Sequence, residues 1–473
     1  MLPPHDTQVS RRTQMETPTS VENYQDQYLD VFGQAPGLHQ LYTQICFCYP
    51  MVDHSISDSI LKTLNQGLER LSASFPWVAG EVVVENSEGS DSLVFKIKRR
   101  DSIPEICTKD LSHDPSMPTM DDLRRSNFPS KILHESLICP CKTFSAGSQE
   151  STVFIIQANI IRGGLLLTFN AQHNTMDMVG QGVIIRLFSK ACRKEPFTKE
   201  DLLSGNLPRR DLISYLDDSY RPGPELANQI KKPPPQDMSL APPDPPPHSS
   251  WAYFSFSPDS LAALKLIASK TVSSLQGFVS TDDALTAYIW QSVLRARLPR
   301  LSPATQTALA RAVNVRSYLS IPAGYPGTVQ NMTYNTYTIQ ELIDEPLGNI
   351  ASQLRTALDP DTSKMAYRTR ALATMMHRSA DKGSISITAT IDSSVDIMLS
   401  SWVQVNCYDL DFDLGLGKPE AVRRPEFDQL EGLFYLMPRR LDGEIAALLS
   451  LRDDDMERLK ADQEFAQYAV YIG

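Results

Sequence analysis

Between Arg221 and Pro247 the chain reads RPGPELANQIKKPPPQDMSLAPPDPPP, which holds ten of its 33 prolines. Proline locks φ and has no N–H, so neither a helix interior nor a central strand survives that density. The segment predicts a stiff, extended connection across a surface. It divides the 473 residues into two halves of similar length, each able to bury a core. The expected organisation is a loose leader over 1–24, a domain over 25–205, a Pro-rich crossover over 206–250 and a second domain over 251–473.

Both halves mix strands and helices, which predicts an α/β fold. In the first half, His39 to Tyr49 reads as a strand, and SDSILKTLNQGLERLSASF as a helix capped by Ser57 and ended by Pro76. EVVVENSEGSDSLVFKI carries strand runs around a turn. VFIIQANII and LLLTFN flank Arg162-Gly163-Gly164 and read as a hairpin. The second strand runs into AQHNTMD, and helical spacing then holds from Met178 to Arg193. His173 therefore stands just past a strand end and Asp177 at a helix start.

In the second half, WAYFSFS reads as a strand and Ser257-Pro258 starts a helix. Thr281-Asp282-Asp283 starts another. Strands are expected at 310–314, 385–391, 402–408, 432–436 and 444–451, and a last helix from Asp454 to Val470.

Charge narrows the partners. Asp and Glu number 56 against 45 Lys and Arg, a net −11, which is the wrong balance for a nucleic-acid binder. No run of about 18 apolar residues is present and the first 24 residues are polar, so a membrane span is not expected and a cytoplasmic location is. The seven cysteines include the pairs Cys46/Cys48 and Cys139/Cys141. C-x-C is not the usual thiol spacing of a metal site, and the first pair sits in an apolar strand, so buried free thiols and no metal are expected. None of the other histidines shares a ligand spacing.

Two short patterns carry the chemistry. The first is His173-Asn-Thr-Met-Asp177. A general base needs a pKa near working pH and a fixed orientation, and a helical turn would bring the i+4 carboxylate close. The spacing equally allows Asp177 as a plain N-cap and His173 as a loop residue. The second is Asp413-Leu-Gly-Leu-Gly417-Lys-Pro. It is neither a dinucleotide fingerprint nor a P-loop, because no third glycine follows and Pro419 succeeds Lys418. It reads as a tight turn or as a binding loop. No G-x-S-x-G elbow is present.

The two patterns in their respective halves, with the Pro-rich crossover between them, resemble the BAHD acyltransferase family, which uses H-x-x-x-D and D-F-G-W-G. Here Leu414 and Leu416 replace the Phe and Trp. Phe75-Pro-Trp-Val-Ala-Gly80 and Ala284-Leu-Thr-Ala-Tyr-Ile-Trp290 also resemble family segments. SSWVQVNCYDLDFDLGLGKPEAVRRP, VQNMTYNTYT and GEIAALLSLRDDDMERLK are similar to the fungal trichothecene 3-O-acetyltransferase-like branch. The resemblance runs from about residue 25 onward and is vague over 101–150.

The resemblance implies two chloramphenicol-acetyltransferase-like domains with a channel between them. It implies a monomer that binds a small-molecule acceptor and acyl-CoA as co-substrate, with no permanently bound cofactor. His173 would be the base. Asp177 would turn away from the cleft and pair with Arg316, which is otherwise read as a surface arginine. Asp413, Gly415 and Gly417 would shape the cleft wall near CoA. Lys418, Arg423 and Arg424 would meet its phosphates, against their reading as a solvated face. Thr281, otherwise an ordinary cap residue, would offer a helix N-terminus to phosphate. The rival readings are a condensation-type domain, in which Gln172 stands where a second His is usual, and a non-catalytic binding member of the fold.

Overall fold

A computed structural model describes residues 26–86, 93–100, 105–145, 151–232, 247–272 and 278–473. The leader over 1–24, the turn expected between the strand runs at 87–92, and residues 233–246 of the crossover lie outside the described residues.

The first half is built on a five-stranded sheet. Its order is Ala421–Arg423, Tyr42–Pro50, Gly164–Gln172, Phe154–Ile161 and Cys107–Asp110. The two long inner strands run as a hairpin, Ile161 opposite Gly164, across Arg162 and Gly163, with Gly163 at φ +76°. Both faces of these strands are covered: Ile156, Leu165, Leu167 and Phe169 on one face are apolar, and the other buries polar residues such as Asn159 and Thr168, which donate to the Ile138 carbonyl. Helices Ser57–Ser74 and Met178–Cys192 pack together. With the sheet they share one core that includes Ile60, Leu64, Leu167, Phe169, Ile184 and Phe188. Cys46, Cys48 and Cys139 are buried free thiols. A three-stranded sheet of Gln27–Tyr28, Leu93–Lys98 and Glu81–Asn86 lies beside them.

The second half is built on a seven-stranded sheet. Its order is Gln330–Thr338, Gln306–Asn314, Ile397–Ser401, Leu433–Leu436, Ile445–Arg452, Ser249–Phe256 and Val470–Tyr471. Helix Thr281–Arg297 is buried along nearly its whole length under helices Pro258–Thr271 and Leu347–Thr356. The halves interlock. Strand Ala421–Arg423 comes from the second half and pairs antiparallel with Tyr42–Pro50, Ala421 opposite Cys48 and Arg423 opposite Cys46. The described start of the crossover is packed too: Leu226 is buried, Gln229 Nε2 donates to Asn331 Oδ1 at 2.6 Å, and Lys231 N donates to the Ser384 carbonyl.

Several local expectations change. Ser57 is the first helical residue and does not N-cap the helix; it closes the 3₁₀ turn His54–Ile56 in front of it, which Asp53 caps at the other end. Ser280, not Thr281, caps the long buried helix. Residues 385–391 form successive turns, Ala389 N to Ser386 O and Ile391 N to Thr388 O, with Ser386 and Thr388 hydroxyls bonded to each other. Such hydroxyls compete with strand pairing. Residues 402–408 also turn, Val405 N donating to Trp402 O, after the strand Ile397–Ser401 has ended. The final helix breaks at Asp462, which caps a short turn, and Val470 belongs to a strand. Among the described residues no helix is long and apolar enough to cross a membrane.

Candidate active site

A cavity of about 510 Å³ opens between the halves. This is within the usual range of small-molecule sites. The first half lends it Phe32, Leu41, Tyr42 and His173, and the second Thr328, Trp402, Arg424 and Tyr435.

His173 reaches it because the strand Gly164–Gln172 ends one residue earlier. Its backbone is held at both ends. Its N–H donates to the Leu41 carbonyl at 2.7 Å, and its carbonyl accepts from Thr328 Oγ1 at 2.9 Å. Nδ1 lies 3.2 Å from the Met176 carbonyl. A carbonyl only accepts, so Nδ1 carries the proton and Nε2 is left with a free lone pair. Burial pulls the imidazole pKa below its ordinary value; the Met176 carbonyl and the Asp177 charge oppose this, and the nearby Arg424 charge adds to it. His173 is therefore neutral near pH 7, the state a base requires.

Asp177 is buried and points away from this cavity's lining. It has two jobs at once. Oδ1 accepts from Gly180 N at 2.8 Å and so caps helix Met178–Cys192. The same carboxylate takes a bidentate pair from Arg316, Nη1 to Oδ2 and Nη2 to Oδ1, both 3.0 Å, and Oδ2 also accepts from Val329 N at 2.8 Å. Arg316 is buried, and its remaining donors go to the carbonyls of Tyr325 (2.9 Å) and Gly327 (2.6 Å) and to Asn314 Oδ1. The 325–329 segment is pressed so closely on the helix start that a Cβ on Gly180 would stand 1.9 Å from the Pro326 carbonyl oxygen. The loop carrying His173 is thus clamped by residues of the opposite half.

The second sequence pattern lies elsewhere. Asp413, Gly415, Gly417 and Lys418 are exposed and do not line the cavity. Asp413 and both glycines sit at positive φ in a tight turn. Lys418 pairs with Asp409 at 2.8 Å on the surface. What the turn does is mechanical. Phe412 packs among Phe47, Phe169 and Phe188 at ring distances of 5.6–5.9 Å, and the Asp411 carbonyl accepts from Ser189 Oγ at 2.6 Å. The loop ties the second half onto the first half's core, so a wall of the His173 cavity is not its place.

Two further candidates are corrected. Arg423 is buried and does not line the cavity; three of its N–H groups donate to the carbonyls of Phe128, Asn127 and Val422 over the Tyr253 ring, so it holds backbone and does not face a phosphate there. At Thr281 the helix N-terminus already holds Asp282 and Asp283, paired with Arg311 and Arg355, and these carboxylates would repel an anion. Of the residues singled out from sequence, only His173 and Arg424 share the cavity. Trp402, Tyr435 and Thr328 were missed because their place depends on long-range strand order. The rim carries two lysines, Lys231 and Lys382.

Comparison with known proteins assigns the family. The model of the trichothecene 3-O-acetyltransferase-like N-terminal domain matches residues 41–192, and that of the Transferase family matches 121–466. The O-acetyltransferase dmxR13 of Cryptosporiopsis sp. (strain 8999) is 52% identical over 452 residues, 95% of this chain and 98% of its own length. Trichothecene 3-O-acetyltransferase TRI101 of Fusarium sporotrichioides is 48% identical, over 96% of this chain and 99% of its own. F. graminearum TRI101, solved in complex with coenzyme A and T-2 mycotoxin, matches with TM-score 0.89 at 46% identity over 95% of this chain and all of that one. Vinorine synthase, 18% identical with TM-score 0.63 over 96% of this chain and 95% of its own, shares the two-domain α/β fold. The chain belongs to the Transferase family, in its trichothecene 3-O-acetyltransferase-like branch, and is an acyl-CoA-dependent O-acyltransferase.

Proposed function

We propose that this enzyme transfers an acetyl or related acyl group from acyl-CoA to a hydroxyl of a specialised-metabolite acceptor bound in the cavity, with His173 as general base. The observation that carries this is the neutral His173 imidazole, its Nδ1–H tied to the Met176 carbonyl and its Nε2 free beside the cavity. Similarity to relatives solved with coenzyme A and a toxin supports the choice of co-substrates.

In this reading Nε2 takes the acceptor O–H proton as the oxygen attacks the thioester carbonyl carbon. The tetrahedral intermediate collapses, the C–S bond breaks, and the leaving thiolate takes the proton back from the imidazolium. No covalent acyl-enzyme and no permanently bound cofactor is required. The base contributes about 10²–10⁴-fold and the joint positioning of two substrates much of the rest. Asp177 and Arg316 are positioning residues that hold the His173 loop. Lys231 and Lys382 on the rim are the cations offered to the phosphates of CoA. Residues 25–205 and 251–473 act as two domains closing on the site. The reading extends to a monomer working in the cytoplasm, which gel filtration and cell fractionation test.

The direct test is release of free CoA thiol from acetyl-CoA with a panel of hydroxylated terpenoids and polyketides. Acceptor-dependent release is expected, and a folded His173→Ala protein should lose about 10²-fold or more. A folded His173→Ala protein as fast as wild type would remove His173 as the base.

A further inference from the structure

Five of the buried arginines show how this protein normally treats such a group. Arg316 is paired with Asp177 and Arg311 with Asp283. Arg297 lies against Glu431 and Asp455 and donates to the Val395 carbonyl. Arg209 donates to the Thr175 carbonyl beside Asp30, and Arg423 to three backbone carbonyls. Arg424 is treated differently. It is 3% exposed, yet among the described residues neither a carboxylate nor a carbonyl takes a hydrogen bond from its guanidinium, whose Nε is unpartnered as is that of Arg297.

Its surroundings are aromatic. The guanidinium carbon lies 4.3 Å from the Phe427 ring centre, 4.7 Å from Tyr435 and 5.6 Å from Trp402. Its backbone is pinned by Tyr253, whose hydroxyl accepts from Arg424 N at 2.7 Å and donates to the Arg424 carbonyl at 3.0 Å. All three rings and Arg424 line the same cavity as His173. Cation–π contacts offset part of the cost of burying a charge, but an unpaired buried cation still lacks a counter-charge. Arg424 lines the cavity, so a ligand there is placed to bring the missing counter-charge.

We propose that Arg424 anchors the acceptor, binding an anionic oxygen (carboxylate, phenolate or enolate) of a flat, otherwise apolar molecule that lies against Trp402, Phe427 and Tyr435. The bond is a charge-assisted, two-pronged hydrogen bond of the kind guanidinium forms with such oxygens. The acceptor class is then acidic hydroxylated metabolites, with one oxygen held by Arg424 and a second, the nucleophile, offered to His173. Calling this ligand the acceptor rests on the acyl-transfer reading above; the anion site itself does not.

The test uses the full chain and calorimetry with 2-naphthoate and its neutral counterpart 2-naphthamide. Wild type should bind naphthoate at least about tenfold more tightly than the amide. Arg424→Met should erase that preference, Arg424→Lys should keep part of it, and acetyl-CoA affinity should be the same in all three. No preference in wild type, or a preference that survives in Arg424→Met, overturns the anchor. So does a loss of acetyl-CoA affinity in Arg424→Met, which would return Arg424 to a phosphate. Should Arg424→Met not fold, wild type and Arg424→Lys decide the question. A naphthoate preference without thiol release from any acceptor keeps the anchor and sinks the transfer reading. His173-dependent thiol release without the preference sinks the anchor alone.

Discussion

Replacing Asp177 by Asn removes one charge and almost no volume, so it isolates the clamp on the His173 loop. The carboxylate takes four donors: Gly180 N, Val329 N and two from Arg316. An amide oxygen serves two of them, and the amide NH₂ then faces the other two. Arg316 keeps Tyr325 O, Gly327 O and Asn314 Oδ1, so the loss falls at the low end for a broken buried pair, about 3 kcal/mol. Arg316→Met leaves a buried carboxylate with two backbone donors and strands two carbonyls, about 4 kcal/mol. If the pair is one unit, the double variant loses less than the sum of about 7 kcal/mol, by about 2 kcal/mol or more. Urea unfolding followed by near- and far-UV circular dichroism, with coincident transitions, measures the cycle. Additive losses, or an Asp177→Asn loss under about 1 kcal/mol, would refute the clamp.

The same variant has a kinetic signature that a merely destabilised protein would not show. The Asp177 charge raises the His173 pKa and the Arg424 charge lowers it. Asp177→Asn should therefore move the acid limb of kcat/KM to lower pH, and Arg424→Met should move it to higher pH. Limbs that shift in the same direction would show that these charges are not what His173 feels.

Three other outcomes follow from packing and burial. Gly180→Ala should cost about 1–3 kcal/mol or more, read by thermal melting, because its Cβ meets the Pro326 carbonyl rather than a movable side chain; an unchanged melting temperature would show that the 325–329 segment yields freely. Phe412→Ala should cost about 3–5 kcal/mol while leaving KM for the acceptor near wild type, since the ring fills the core and not the cavity; a raised acceptor KM with full stability would contradict it. Burial lifts Asp30 to about 6 despite Arg209 and the Gly33 and Thr328 N–H groups. The folded state then holds that proton more tightly than the unfolded one. Asp30's contribution to stability should fall as pH rises from about 4 through 6, so the gap between wild type and Asp30→Asn must shrink over that window; a gap that widens refutes the shift.

The elements around His173 were legible for local reasons. An apolar hairpin around Arg162-Gly163 and a helix beginning at Met178 need only short-range periodicity, and together they leave HNTMD at a strand end. Arg316 lies 139 residues from Asp177, and spacing alone points to no such pair; it entered through family resemblance. Residues 385–391 and 402–408 misled because alternating apolar residues suit a strand and also suit turns packed on a core. The glycine pattern at 413–417 misled in a different way. Its positive φ values are real, but positive φ reports a tight turn and does not say whether a ligand or a phenylalanine cluster sits beneath it.

Arg423 and Arg424 show most directly why the site needed the tertiary structure. As adjacent cations after a glycine turn they are indistinguishable in sequence. Pairing of Ala421–Arg423 with a strand of the other half separates them. Arg423 is the last residue of that strand and turns to the Phe128 carbonyl and the Tyr253 ring, while Arg424, just past the strand end, continues the alternation and turns to the cavity. A one-residue slip of that edge strand would exchange the two side chains and bury Arg424 away from His173. The Tyr253 hydroxyl, bonded to both the N–H and the carbonyl of Arg424, guards against that slip. Tyr253→Phe removes only this oxygen. It should therefore weaken naphthoate binding while sparing acetyl-CoA binding, and calorimetry that finds naphthoate untouched would show that the strand holds its register without it.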